Sequence, residues 1–229
     1  MKRIPFTLIE LLIVIVIIAI LISLLMPSLT RAKRTAKRVA CLSNLGQQSK
    51  ALFQGIKDNN NRFPDTNKGD ALEYISVQGT NNNKLNVNSP RILNKHMSIP
   101  ESGVYAKDKD YNVIKCPNKS YFYYRNGSSY RPNISGWYGN GMLEQYNSNG
   151  GENKGISVAS VISPSLMISF AEEDVWWFSQ FTWFNHSHNR NHDLKYPKFT
   201  TAFVDGHVAF IEFYEGRASA ENYTFRNTD

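Results

Sequence analysis

Catalytic signatures are missing from this chain. It has no Gly-x-Ser-x-Gly elbow, no Gly-rich phosphate loop and no His-Glu-x-x-His pair. Cysteine is scarce: Cys41 and Cys116 are the two present, with no Cys-x-x-Cys, so nothing supports a zinc or thiol-redox motif. Ser, His and Asp are frequent enough that their joint presence indicates no triad. We read the chain as non-enzymatic.

What it does contain is a membrane-length apolar run. Phe6–Met26 reads FTLIELLIVIVIIAILISLLM, and sixteen of these positions are Leu, Ile, Val or Phe. A helix needs roughly 20 apolar residues to cross a bilayer. At about 0.3–0.6 kcal/mol per residue, insertion gains on the order of 5–10 kcal/mol, and Glu10 near the helix end costs at most about 3 kcal/mol. A secretory signal has a shorter apolar core and then a small-residue cleavage site. Here Met26-Pro27-Ser28 leads into basic residues instead. An intramembrane acid such as Glu10 either finds a cationic partner or snorkels to the headgroups.

The net charge of +7 is unevenly placed. Residues 1–38 hold Lys2, Arg3, Arg31, Lys33, Arg34, Lys37 and Arg38 against Glu10, a net +6; residues 39–229 hold nineteen basic and eighteen acidic side chains, a net +1. The basicity flanks the apolar run, so no nucleic-acid partner is expected. Five cations follow the run and two precede it, so charge bias alone favours a cytoplasmic head.

The spacing predicts one helix from about Thr7 to Lys57, roughly 75 Å long, continuing past Pro27. Leu29, Ala32, Ala36, Val39, Leu42, Leu45, Leu52, Phe53 and Ile56 form an apolar stripe for a head or a neighbour, with basic residues on much of the other face up to Arg38. Asp58–Asp65 ends the helix with turn chemistry. Residues 66–110 read as loops and short elements around apolar pieces at 71–77 and 92–99. Strands are expected at Tyr111–Lys115, Tyr121–Tyr124 and Leu166–Ala171, and a hairpin at Thr200–Phe213 about Asp205-Gly206. The fold class is therefore α+β: a transmembrane helix at 6–29, its amphipathic continuation at 30–57, and a globular head at 58–229 built on an antiparallel sheet.

Phe6-Thr7-Leu8-Ile9-Glu10-Leu11-Leu12, with the charges before it and the run after it, resembles the N-terminal signature of type IV pilins and type II secretion pseudopilins. The resemblance implies a leader, residues 1–5, removed between Pro5 and Phe6 by a prepilin peptidase. It implies methylation of Phe6 and pairing of Glu10 with the terminal amine of a neighbouring subunit. It also implies a pilin-like fold, assembly with other such subunits on an inner-membrane platform, and a head outside the inner membrane with the N-terminus cytoplasmic. One position departs: the family carries Gly before the cut, where this chain has Pro5, which lacks an N–H. A retained leader would leave a membrane-tethered module, with aromatics such as Trp176–Phe184 binding glycan. Similar proteins also carry a Cys on the long helix, a later Cys-Pro, and a terminal His, nine residues, Asp-Gly. Cys41, Cys116-Pro117, and His192 with Asp205-Gly206 match, although twelve residues separate His192 from Asp205, implying an insertion near 194–198.

In an oxidising compartment Cys41 and Cys116 would bridge helix and head, contributing roughly 3–5 kcal/mol in the chain-entropy model; the alternative is two buried thiols. His186, His188, His192 and His207, near Asp193 and Asp205, have spacings that suit zinc or copper, or hydrogen bonds around the hairpin. Glu172, Glu173 and Asp174 with Asp205 offer oxygen ligands to calcium, which some pseudopilins bind, but no alignable copy of their loop is present. No cofactor or metal is assigned.

Overall fold

The computed structural model describes residues 7–64, 91–100, 106, 108–117, 123, 127–133, 144–145, 154–173, 175, 198–214, 217 and 219–225. One helix, α1 (Leu8–Asp58, 51 residues), dominates them. It runs through Pro27, which has no N–H to offer the preceding turn. Near that point Ser23 donates to the Ile20 carbonyl at 2.7 Å, Ser28 to Leu25 at 2.7 Å and Thr30 to Met26 at 3.0 Å. These bonds leave no serine or threonine hydroxyl of the apolar half needing water, the requirement for backbone and side chains in hydrocarbon. At the far end the Asn59 N–H closes on Gly55 and Ile56, and Asn60 and Asn61 enter the left-handed region at φ 54° and 58°. Asparagine tolerates that conformation better than most residues, so the Asn-Asn-Asn run terminates the helix.

The head is built on an antiparallel sheet of four strands in the order β1-β4-β5-β6: β1 (Tyr130–Pro132), β4 (Ile168–Glu172), β5 (Lys198–Phe203) and β6 (Val208–Glu212). Two short pairs flank it, β2 (Glu144–Gln145) with β3 (Lys154–Gly155) and β7 (Ser219–Ala220) with β8 (Tyr223–Thr224). The helix covers one face of the sheet. There Cys41, Leu45, Leu52 and Ile56 pack with Tyr130, Phe170, Ala202 and Val204. The other face carries Phe199, Phe203, Phe213, Tyr223 and Phe225, with the Phe213 and Tyr223 rings 4.5 Å apart. β4 is therefore buried along its whole length. Its register slips between Ile168 and Phe170, so Ile168 and Ala171, three residues apart, both face the aromatic cluster.

The hairpin forms where expected, from Lys198↔Glu212 to Ala202↔Val208, but its loop is wider than a two-residue turn. Gly206 N–H bonds the Phe203 carbonyl, and Phe203 N–H bonds His207. Gly206 has φ 93°, and a Cβ there would stand 2.7 Å from the Phe53 ring. The Asp-Gly dipeptide thus serves both a left-handed backbone position and close approach of the turn to α1.

Three sequence expectations change. Tyr111–Lys115 is a turn, not a strand, because its carbonyls are taken by side chains of α1. Tyr123 is helical; the rest of Tyr121–Tyr124 and the apolar piece at 71–77 lie outside the described residues. The apolar stripe divides: Leu45, Leu52 and Ile56 face the head, while Leu29, Val39 and Phe53 are exposed. The head-facing surface includes Asn44, Gln48 and Ser49, which a reading by apolarity passes over.

Gly206→Ala is expected to cost about 2 kcal/mol, combining the left-handed strain with the Phe53 clash. Urea unfolding of the full chain in detergent measures it, and adding Phe53→Ala should recover part of the loss. Burial pushes the Tyr123 hydroxyl up to about 12 and raises Tyr130 and Tyr223 as well. A raised folded value means that this stability is whole below the usual tyrosine value of about 10 and is lost as pH rises through the folded one. The head should therefore unfold in alkali between about pH 10 and 12, with part of the tyrosinate absorbance appearing together with loss of near-UV dichroism.

Candidate functional site

Two features of α1 set what the chain can do: an apolar half that none of the described residues covers, and a polar seam that fixes the other half to the head. From Leu8 to Leu29 every residue is exposed, and one helix of the described residues is long and apolar enough to cross a membrane. Those 22 residues rise about 33 Å, close to the roughly 30 Å hydrocarbon core.

Glu10 lies in the first turn of that helix. The Thr7 N–H donates to Glu10 Oε2 at 2.8 Å, the Thr7 hydroxyl donates to the same oxygen at 2.9 Å, and the Glu10 N–H donates to Thr7 Oγ1 at 3.2 Å. This is a capping box: each residue satisfies the other's free backbone donor. The signal, Thr-x-x-Glu before an apolar run, is present in the sequence and was missed by reasoning that treated Glu10 as an acid needing a distant cation. Both Thr7 donors use Oε2, and Oε1 accepts from neither. Pro5 and Phe6 lie outside the described residues.

The seam begins one turn beyond the basic segment. Cys41 and Cys116 are fully buried, with sulfurs 2.7 Å apart and not bonded. Asn44 Nδ2 donates to the Asn112 carbonyl at 2.6 Å and to Lys115 at 3.3 Å; Gln48 Nε2 donates to Val113 at 2.7 Å. Two amide side chains, one turn apart on α1, thereby hold the 111–117 segment. Tyr130 stands beside them, its hydroxyl 3.4 Å from Asn44 Nδ2. Burial, then the adjoining Cys116 and Cys41, then Glu172, raise the pKa of that hydroxyl. Glu172 is itself buried and accepts from the Thr200 N–H at 3.0 Å and the Thr200 hydroxyl at 2.5 Å.

The described residues among those considered for metals are each engaged locally. His207 Nδ1 is 2.6 Å from Asp205 Oδ1, and its ring stacks on Phe203 at 4.1 Å. Glu173 bonds Arg131 at 3.2 Å, and Glu172 is engaged by Thr200. His186, His188, His192, Asp174 and Asp193 lie outside the described residues, as do the Trp137, Tyr138 and Trp176–Phe184 aromatics. Among the described residues no three His, Cys, Asp or Glu side chains converge as a metal site. No family model matches the chain, nor does any curated protein or solved structure.

Gln48→Ala would strip the Val113 carbonyl of its donor inside the seam, with an expected cost of about 1–3 kcal/mol. Gln47→Ala, one residue away and exposed, should stay within about 0.5 kcal/mol. Paired urea titrations of the two variants make the comparison.

Proposed function

We propose that the chain is a pilin-like structural subunit, non-enzymatic, held in a bacterial inner membrane by the apolar half of α1 and assembling with like subunits into a type IV pilus or type II secretion-type filament. The observation that carries the reading is the uncovered apolar helix with one acid in its first turn, joined to an antiparallel head. The Phe6-to-Leu12 sequence supports it. In this reading a prepilin peptidase removes residues 1–5 and Phe6 is methylated. Glu10 has two roles: Oε2 caps its own helix, and Oε1 accepts the Phe6 ammonium of the next subunit. A carboxylate has lone pairs for both, and the neighbour's positive charge offsets the cost of an acid in lipid. The head lies outside the membrane, where an oxidising compartment closes the Cys41–Cys116 pair.

One observation favours a second reading. The capping box gives Glu10 a local purpose that requires no other copy. With Pro5 retained, the chain would then be a membrane-tethered surface module, its glycan-binding aromatics in residues outside the description.

Glu10→Gln separates the two, because it keeps an oxygen for the cap and removes the charge. Subunit cross-linking in the producing cell should fall at least tenfold in Glu10→Gln as in Glu10→Ala if charge pairing drives assembly. Assembly retained by Glu10→Gln would leave the residue a cap only. Intact mass of the membrane-extracted protein should show loss of residues 1–5, one added methyl and, without reductant, two hydrogens fewer than the reduced form. A full-length, unmethylated chain contradicts processing; free thiols contradict the Cys41–Cys116 disulfide.

A further inference from the structure

The segment between the membrane-length run and the head is the most charged surface described. Arg31, Lys33, Arg34, Lys37 and Arg38 fall within eight residues, and no Asp or Glu occurs between Glu10 and Asp58. Arg31, Lys33 and Arg34 are exposed, and Lys37 and Arg38 half-buried. Among the described residues none of the five has a carboxylate partner. Arg38 is engaged otherwise, its guanidinium 4.9 Å above the Phe210 ring of β6.

Helical phase places these cations. At about 100° per residue the five occupy a sector of about 160°. Cys41, Asn44, Leu45, Gln48 and Leu52, which face the head, fall in the same sector. Ala32, Thr35, Ala36 and Val39 fall on the opposite side. The cations therefore point under the head rather than away from it. Height agrees: Arg31 to Arg38 rises about 10 Å, beginning just past the last exposed leucine of the run, Leu29. Headgroups occupy roughly 5–8 Å on each side of the hydrocarbon core, within reach of arginine and lysine stems.

We propose that Arg31, Lys33, Arg34 and Lys37 form a binding surface for the phosphates of anionic phospholipids in the leaflet beneath the head. The proposal rests on the membrane-spanning reading of α1 but not on filament assembly. Charge complementarity selects lipid over a second copy: residues 39–229 carry nineteen basic and eighteen acidic side chains, so the head has no excess of acid to match the collar. Bound headgroups would hold the head against the membrane surface and fix the depth of the helix.

The test uses the full chain reconstituted in vesicles of phosphatidylcholine with phosphatidylglycerol. Resistance to alkaline carbonate extraction from pure phosphatidylcholine comes first; extraction there would overturn the membrane span itself. Spin-labelled lipids then report which headgroup the protein retains in its motionally restricted shell. Wild type should prefer phosphatidylglycerol roughly fivefold, about the effect of one cation near an anionic surface. The variant carrying Arg31→Gln, Lys33→Gln and Arg34→Gln should lose that preference with helix content unchanged, and 0.5 M salt, on the order of several times physiological strength, should weaken it in wild type. Equal retention of both lipids by wild type, or an undiminished preference in the triple variant, overturns the proposal. So does a triple variant that loses contact between copies while its lipid preference stays the same.

Discussion

A single helix here is long and apolar enough over its first half to cross a membrane, and packs its second half on a protein core. Its first 22 residues present Leu, Ile and Val around the whole circumference, which water tolerates poorly and hydrocarbon accepts. Its last turns present a mixed face to a protein core. Among the described residues nothing folds back over the apolar half, which is long and apolar enough to cross a membrane. The rest of the architecture follows from that division: hydroxyls turned onto their own backbone near Pro27, a capped N-terminus, and a charged segment at the boundary.

The head is attached by polar chemistry as much as by burial. Leu45, Leu52 and Ile56 supply apolar contact, but Asn44 and Gln48 fix the axial position, because each bonds particular carbonyls of the 111–117 segment. A purely apolar seam would let a helix slide by a turn at modest cost; amides with defined partners raise that cost. The opposed sulfurs of Cys41 and Cys116 occupy the same level, and a bond between them would lock the register covalently. The hairpin adds a second attachment, with Phe210 beneath Arg38 and the Gly206 turn against Phe53.

Much of this was legible in the chain. Continuous hydrophobicity located the first half of α1, and Asn59–Asn61 located its end. Alternation around Asp205-Gly206 located β5 and β6. What could not be read was tertiary in origin. Tyr111–Lys115 has strand-like composition, yet two amides on a helix more than sixty residues earlier hold it as a turn. The head-facing surface of α1 was misread for the same reason: Asn44, Gln48 and Ser49 are polar by type and buried by context. At Glu10 the failure was different. The capping box is a local motif, and attention to a distant partner obscured it.

The account turns on the helix passing from hydrocarbon to headgroup between Leu29 and Arg31. The most direct measurement is a scan of single spin labels along residues 12–38 of the reconstituted full chain, recording collision with oxygen and with a water-soluble nickel complex; the native thiols, fully buried, stay unlabelled. Oxygen contact is predicted to peak near Ile18–Ile20, with nickel contact low throughout the run and rising sharply from Thr30 onward. Nickel contact at Ile18 or Ile20 equal to that at Lys33 would contradict it.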